Sequence, residues 1–164
     1  MIPENIDIDQ IVTDVDDSAV YMGALTAGQY PDLQGDLVAV TRDATADGFG
    51  SLGIVVLDQT PEFTASLRDV AQEVLNQSSV DTVAVRAPGS GAVVSEVHSR
   101  ASLESAQHGF LSTNDYVAGS KLLIRDVTES RFGEIDWAQS SLIVGIVLLV
   151  VVVLSAVSVG RRRP

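Results

Sequence analysis

The chain has 164 residues, no cysteine and a formal charge of −12. Without cysteine, disulfides, thiolate zinc sites and cysteine nucleophiles are excluded. All 22 carboxylates and seven of the ten basic residues precede residue 138, so that part carries −15; it has no footprint for nucleic acid, is repelled by anionic membrane surfaces, and suits a basic protein partner.

Ile8, Ile11, Val12 and Val15 recur at i, i+3, i+4 and i+7, which predicts a short amphipathic helix with Asp7 as its cap. Residues 16–29 fit a short helix or a strand, and Gly23 and Gly28 weaken both. Asp32 is placed to cap a second helix carrying Leu33, Leu37, Val40 and Ala44 on one face, stopped at Gly48. Gly53-Ile54-Val55-Val56-Leu57 is a continuous apolar run, as expected of a strand buried on both faces. Thr60-Pro61 then reads as a helix start, with Phe63, Leu67, Val70, Ala71, Val74 and Leu75 on the apolar face.

Residues 82–86 alternate and are β-branched, Pro88-Gly89-Ser90-Gly91 is a turn, and 92–97 form a third strand. Residues 99–111 read as a short helix interrupted at Gly109. Thr113 is placed to cap a last helix whose Tyr116, Val117, Leu123, Ile124 and Val127 face inward. Alternating strands and helices predict an α/β fold: a single three-layer domain with a mostly parallel sheet flanked by helices.

Residues 138–160 contain no charge, and fourteen of them are Leu, Ile or Val. A helix of that length reaches roughly 34 Å, enough for a hydrocarbon core of about 30 Å. The fourteen aliphatic residues favour insertion by about 4 to 8 kcal/mol. Trp137 marks one interface and Arg161, Arg162 and Arg163 the other. The expected organisation is an acidic soluble domain over 1–128, a juxtamembrane connector over 129–137, a transmembrane helix over 138–160 in the lipid bilayer, and a basic tail over 161–164. The arginines place that tail in the cytoplasm and the domain outside, although counting back to Lys121 and Arg125 nearly removes the asymmetry. No ordinary signal peptide is visible at the amino terminus.

Few constellations carry chemistry. Gly48-Phe49-Gly50-Ser51-Leu52-Gly53 matches G-x-G-x-x-G, but it ends a helix and leads into a strand, the reverse of a dinucleotide site. Asp14, Asp16 and Asp17 lack the central Gly and closing Glu of a calcium loop. His98 and His108 have no metal-ligand spacing. No cofactor, metal or catalytic set is expected, and the domain is read as non-enzymatic. Asp58 is the exception worth weighing. An Asp at the carboxyl end of a buried strand, followed by Thr60-Pro61, resembles the phospho-acceptor of receiver domains, with Asp16 and Asp17 as an imitation of their metal pair. No Lys stands at the end of a last strand, since Lys121 falls inside a helix. A cytoplasmic, membrane-tethered receiver-like phosphoprotein is therefore the alternative.

The opening Met1-Ile2-Pro3, the strand Leu52-Gly53-Ile54-Val55-Val56-Leu57-Asp58, the helix segment Leu67-Arg68-Asp69-Val70-Ala71 and the span with its Arg-rich end together resemble a family of single-pass membrane proteins of mycobacteria and corynebacteria. Members of that family occur beside genes for NlpC/P60 peptidoglycan endopeptidases that separate daughter cells. The resemblance implies an extracytoplasmic α/β domain of receiver-like topology without receiver activity. It also implies a septal role in cell division, binding the endopeptidase's coiled-coil region and relieving its autoinhibition. A phosphatase activity like that of the distantly similar TPM domains would need an acidic metal site, which the sequence does not assemble.

The longest β→α connection, 98–112, is the expected contact, at the strand carboxyl ends and away from the bilayer. Its Arg100, Leu103, Glu104, Gln107, His108 and Phe110 offer a mixed apolar and polar surface for a helical partner. Residues 16–29 are the next candidate.

Overall fold

The computed structural model describes residues 2–133, with side chains as far as Ser130. Elements follow the order α1 (Ile8–Ser18), β1 (Val20–Met22), α2 (Ala24–Gln29), α3 (Leu33–Ala46), β2 (Leu52–Val56), α4 (Ser66–Gln77), β3 (Thr82–Ala87), β4 (Ser90–Ser95), α5 (Arg100–Leu111) and α6 (Tyr116–Gly133). They build the expected α/β architecture. One sheet, ordered β1-β2-β3-β4, has helices on both faces.

β1, β2 and β3 are parallel, with Val20 opposite Ile54 and Ile54 opposite Ala84. β4 returns antiparallel through the Pro88-Gly89 turn, where Gly89 takes φ 72. This order corrects the receiver-like topology, whose parallel sheet runs 2-1-3-4-5. The sequence showed strands and helices alternating but not which strands adjoin.

Two apolar layers fill the molecule. Leu37, Val40 and Ala44 of α3, with Ala106 and Phe110 of α5 and Leu123 and Val127 of α6, cover the face that carries Val20, Ile54, Val56 and Ala84. Ile11 and Val15 of α1 and Leu67, Val70 and Val74 of α4 cover the other, against Val55, Val83 and Val85. All five residues of β2 are buried, as its unbroken apolar run requires. The chain steps from β1 to β2 and on to β3 in one direction, yet α3 and α4 lie on opposite faces. The two crossovers therefore differ in hand, and one of them is left-handed, against about 98% of such connections.

Several helix ends differ from expectation. Asp7 caps α1, accepting from the Gln10 amide at 3.0 Å. Asp32 makes no capping bond to α3. Asp115, not Thr113, caps α6, accepting from the Ala118 amide at 2.9 Å. α5 runs unbroken through Gly109; a Cβ there would meet the Asp126 carboxylate of α6, so the glycine makes room for that side chain and does not end the helix. α4 begins at Ser66, six residues beyond Thr60, whose hydroxyl bonds instead to the Pro88 carbonyl. Phe63 is thus in a loop, 69% exposed, and off the apolar face assigned to it.

α6 continues to Gly133, into the predicted connector. Among the described residues no helix is long and apolar enough to cross a membrane. The predicted span at 138–160, Trp137 and the arginines at 161–163 lie outside them.

Candidate functional site

β1 and β2 end side by side, and the residues that follow them meet. Gly23 is one residue past β1 and donates its N–H to the Val56 carbonyl at 2.8 Å, extending the ladder. Asp58, two residues past β2, accepts from the Leu25 amide at 3.0 Å and from the Thr26 amide and hydroxyl at 2.8 Å each. It therefore caps α2 from another part of the chain. Burial pushes the Asp58 carboxyl pKa up, and these three bonds more than offset it, so the group is held below its ordinary value. Both carboxylate oxygens are engaged. Asp16, expected beside Asp58, accepts instead from the Ser79 amide and hydroxyl at 2.8 and 2.9 Å, just before β3 and at the opposite end of the strands. Lys121 lies in α6. The structure does not bring the receiver-like set together.

The amino ends of the strands have their own clip. Asp81 accepts from the Ser51 amide and hydroxyl at 2.9 and 2.7 Å, while Ser51 Oγ accepts the Asp81 amide at 2.8 Å. The Ser51 amide and hydroxyl hold the Asp81 carboxyl below its ordinary pKa. His98 is buried there, its Nε2 2.8 Å from the Phe49 carbonyl and its ring 4.3 Å from the Phe49 ring. His108 is exposed on α5. Gly48 and Gly50, with φ of 81 and 105, form the turn from α3 into β2. Among the described residues no group of three or more His, Asp or Glu could hold a metal ion.

Arg86, near the carboxyl end of β3, is buried, and among the described residues no carboxylate pairs with its guanidinium. Its two terminal nitrogens donate to the Phe110 and Thr113 carbonyls, and its guanidinium lies 5.0 Å and 5.5 Å from the centres of the Phe110 and Tyr116 rings. It satisfies carbonyls where α5 ends and α6 begins, at the helix terminus that favours positive charge. Burial lowers its pKa.

The predicted contact on α5 divides. Arg100 and Glu104 form an exposed ion pair at 2.6 Å, and His108 is also exposed. Gln107 is half-buried and donates to the Gly91 carbonyl at 3.1 Å. Leu103 and Phe110 are 6% and 1% exposed and belong to the core. α5 consequently presents a polar surface without the apolar anchors expected of it. Its start is also displaced. Because β4 is antiparallel, Ser95 is level with Thr82, and α5 begins near the amino ends of β1–β3.

The apolar surface lies elsewhere. At the carboxyl ends of β1 and β2 is a cleft of about 990 Å³, bordered by Ile2, Tyr21, Leu25, Leu57 and Phe63, with Asp58, Glu62 and Asp69 around it. Leu25 and Phe63 are each 69% exposed. Residues 16–29, the second candidate, supply Tyr21 and Leu25. Helical spacing from Leu67 places Phe63 on the α4 face, but α4 starts only at Ser66, so Phe63 stands in the preceding loop instead.

A family model described as Membrane protein Rv1476 matches residues 1–164. No curated protein matches the chain.

Proposed function

Since the chain belongs to the Membrane protein Rv1476 family, we propose that it is a membrane-anchored, non-enzymatic regulator whose α/β domain docks a protein partner at the strand carboxyl ends. The anchor is the apolar stretch 138–160, with the domain extracytoplasmic and the arginine tail inside. The partner is an NlpC/P60 peptidoglycan endopeptidase, bound through its coiled-coil region at the division septum. By binding only the open form, the domain draws the enzyme out of its closed population.

One observation carries the docking reading: Leu25 and Phe63, two large apolar side chains, stand mostly exposed on one cleft. Exposed apolar surface gathered at a concavity marks an interaction site, whereas isolated exposed residues do not. The partner's identity rests on the family resemblance. The test is to add the full chain, reconstituted in nanodiscs, to the full-length endopeptidase and follow peptidoglycan cleavage. Stimulation that is lost in Leu25→Ser/Phe63→Ser is expected; unchanged hydrolysis with the wild-type chain overturns the proposal.

A further inference from the structure

We infer that the strand-carboxyl end of the domain receives a cationic amphipathic helix, with apolar side chains one and two turns apart and Lys or Arg along both flanks. This rests on the docking reading above and adds the chemistry of the bound segment.

Basic side chains are absent from this end of the domain. Among the described residues the cleft is bordered by Asp58, Glu62 and Asp69 and by no basic side chain. Across α2 lies a second depression of about 580 Å³, bordered by Tyr30, Asp32, Asp36 and Asp115, again with no basic side chain. Among the described side chains the cations stand elsewhere: Arg42 on α3, Lys121 and Arg125 on α6, Arg68 and Arg100 beside β4, and Arg86 in the interior. Burial raises the Tyr21 phenol pKa, and the nearby carboxylates of Asp58, Asp14 and Asp7 raise it further. An anionic ligand or membrane surface is disfavoured there, and a cationic segment is steered in.

The apolar anchors share that end. Of the four large hydrophobic side chains exposed among the described residues, Leu25 and Phe63 border the cleft and Tyr30, 49% exposed, borders the second depression. Only Val97 lies apart, just past β4. Leu25 and Tyr30 stand near the two ends of α2, whose six residues span about 9 Å. Apolar residues at i, i+3 or i+4, and i+7 of a helix cover a similar distance, about 10 Å. Pairing by an added strand is not offered in its place. β1 has three residues, and at β4 Val93 and Val94 are 4% and 3% exposed while Gln107 already occupies the Gly91 carbonyl.

The test uses the full chain in nanodiscs of zwitterionic lipid, with empty nanodiscs as the blank, and two synthetic 18-residue amphipathic helices. One has Leu on the apolar face and Lys on the flanks; the other replaces every Lys by Glu. The Lys peptide is expected to bind, with affinity falling at least tenfold between 50 and 500 mM salt, and the Glu peptide to bind at least tenfold more weakly. Leu25→Ser/Phe63→Ser should weaken the Lys peptide about tenfold or more, and Glu62→Lys/Asp69→Lys should reverse the preference between peptides. Asp43→Lys/Asp47→Lys, a charge change at the far end of α3, should leave that preference in place. Equal binding of both peptides overturns the inference, as does indifference to Leu25→Ser/Phe63→Ser, which would show attraction to the acidic domain as a whole. Endopeptidase activation with no Lys-peptide binding refutes the helix chemistry and keeps the docking reading. Lys-peptide binding without activation keeps the helix chemistry and the docking surface and refutes the endopeptidase as the partner.

Discussion

The carboxylate of Asp58 occupies the space that a side chain at residue 23 would need: a Cβ built on Gly23 falls 2.4 Å from its Cγ. Gly23 has φ −57 and ψ 146, which any residue can adopt, so the demand is for space and not for backbone freedom. Gly23→Ala must push Asp58 off the α2 amides. The expected cost is on the order of 2 kcal/mol, from a strained contact and lost charge-assisted bonds. Chemical denaturation of the reconstituted chain checks it, and Asp58→Ala in the Gly23→Ala background should recover part of the loss.

Acid should expose the same bond. Asp58 and Asp81 both have carboxyl pKa values below their unfolded ones. For such groups the stabilisation is complete above the unfolded pKa of about 3.9 and is lost as pH falls through the folded value. Unfolding free energy should therefore be flat from neutral pH to about 5 with respect to these two groups and decline below about 4. Asp58→Asn and Asp81→Asn should each shallow the decline. A pH series of denaturant midpoints provides the comparison.

Arg86 is a buried cation whose guanidinium partners are carbonyls and rings, so its removal leaves acceptors unmet. Arg86→Met should destabilise by about 2 to 4 kcal/mol, the range for stranding buried polar groups. Arg86→Lys should recover only part of this, because an ammonium cannot span the Phe110 and Thr113 carbonyls as a planar fork does. Thermal unfolding of the three proteins gives the order wild type, Lys, Met.

Membrane orientation can be read directly because the chain has no native cysteine. Ser105→Cys, on the exposed side of α5, and Pro164→Cys are labelled in intact cells with an impermeant maleimide. Reaction at residue 105 alone is the expected result. Reaction at residue 164 alone would remove a cell-wall partner from consideration.

Asp58 offers a chemical check on the receiver-like alternative. With its oxygens bonded to α2 and Asp16 at the other end of the sheet, acetyl phosphate and Mg²⁺ should leave the wild-type chain unlabelled, by phosphate-affinity electrophoresis or intact mass.

The sequence made the buried strand β2, the amphipathic α1 and the inward face of α6 legible, because each is a periodic apolar pattern decided by local burial. Strand order was not legible. Val20-Tyr21-Met22 is too short to show a period, and its place at the sheet edge depends on pairing with Ile54 far along the chain. The cleft was half visible for the same reason. Leu25 fell in a segment marked as a candidate, whereas Phe63 followed helical spacing in a stretch that Thr60 ties to Pro88 instead. Leu103 and Phe110 had the composition of a docking surface, but their direction is fixed by α6 packing beside them, a tertiary fact.

The unequal hands of the two crossovers have an architectural result. In open α/β sheets, ligand crevices open where the loops after two adjacent strands leave towards opposite faces, which ordinarily takes a reversal of strand order. Here the order never reverses, yet the chain leaving β1 turns towards the α3 face and the chain leaving β2 towards the α4 face. A left-handed connection has opened a fork that right-handed winding would have closed. The protein then bridges the fork with its own Asp58, which binds amides that a substrate's anionic group would otherwise meet. The throat that opens at such a fork is latched from within by Asp58, and the apolar rim formed by Leu25 and Phe63, the docking surface proposed above, lies around the latch.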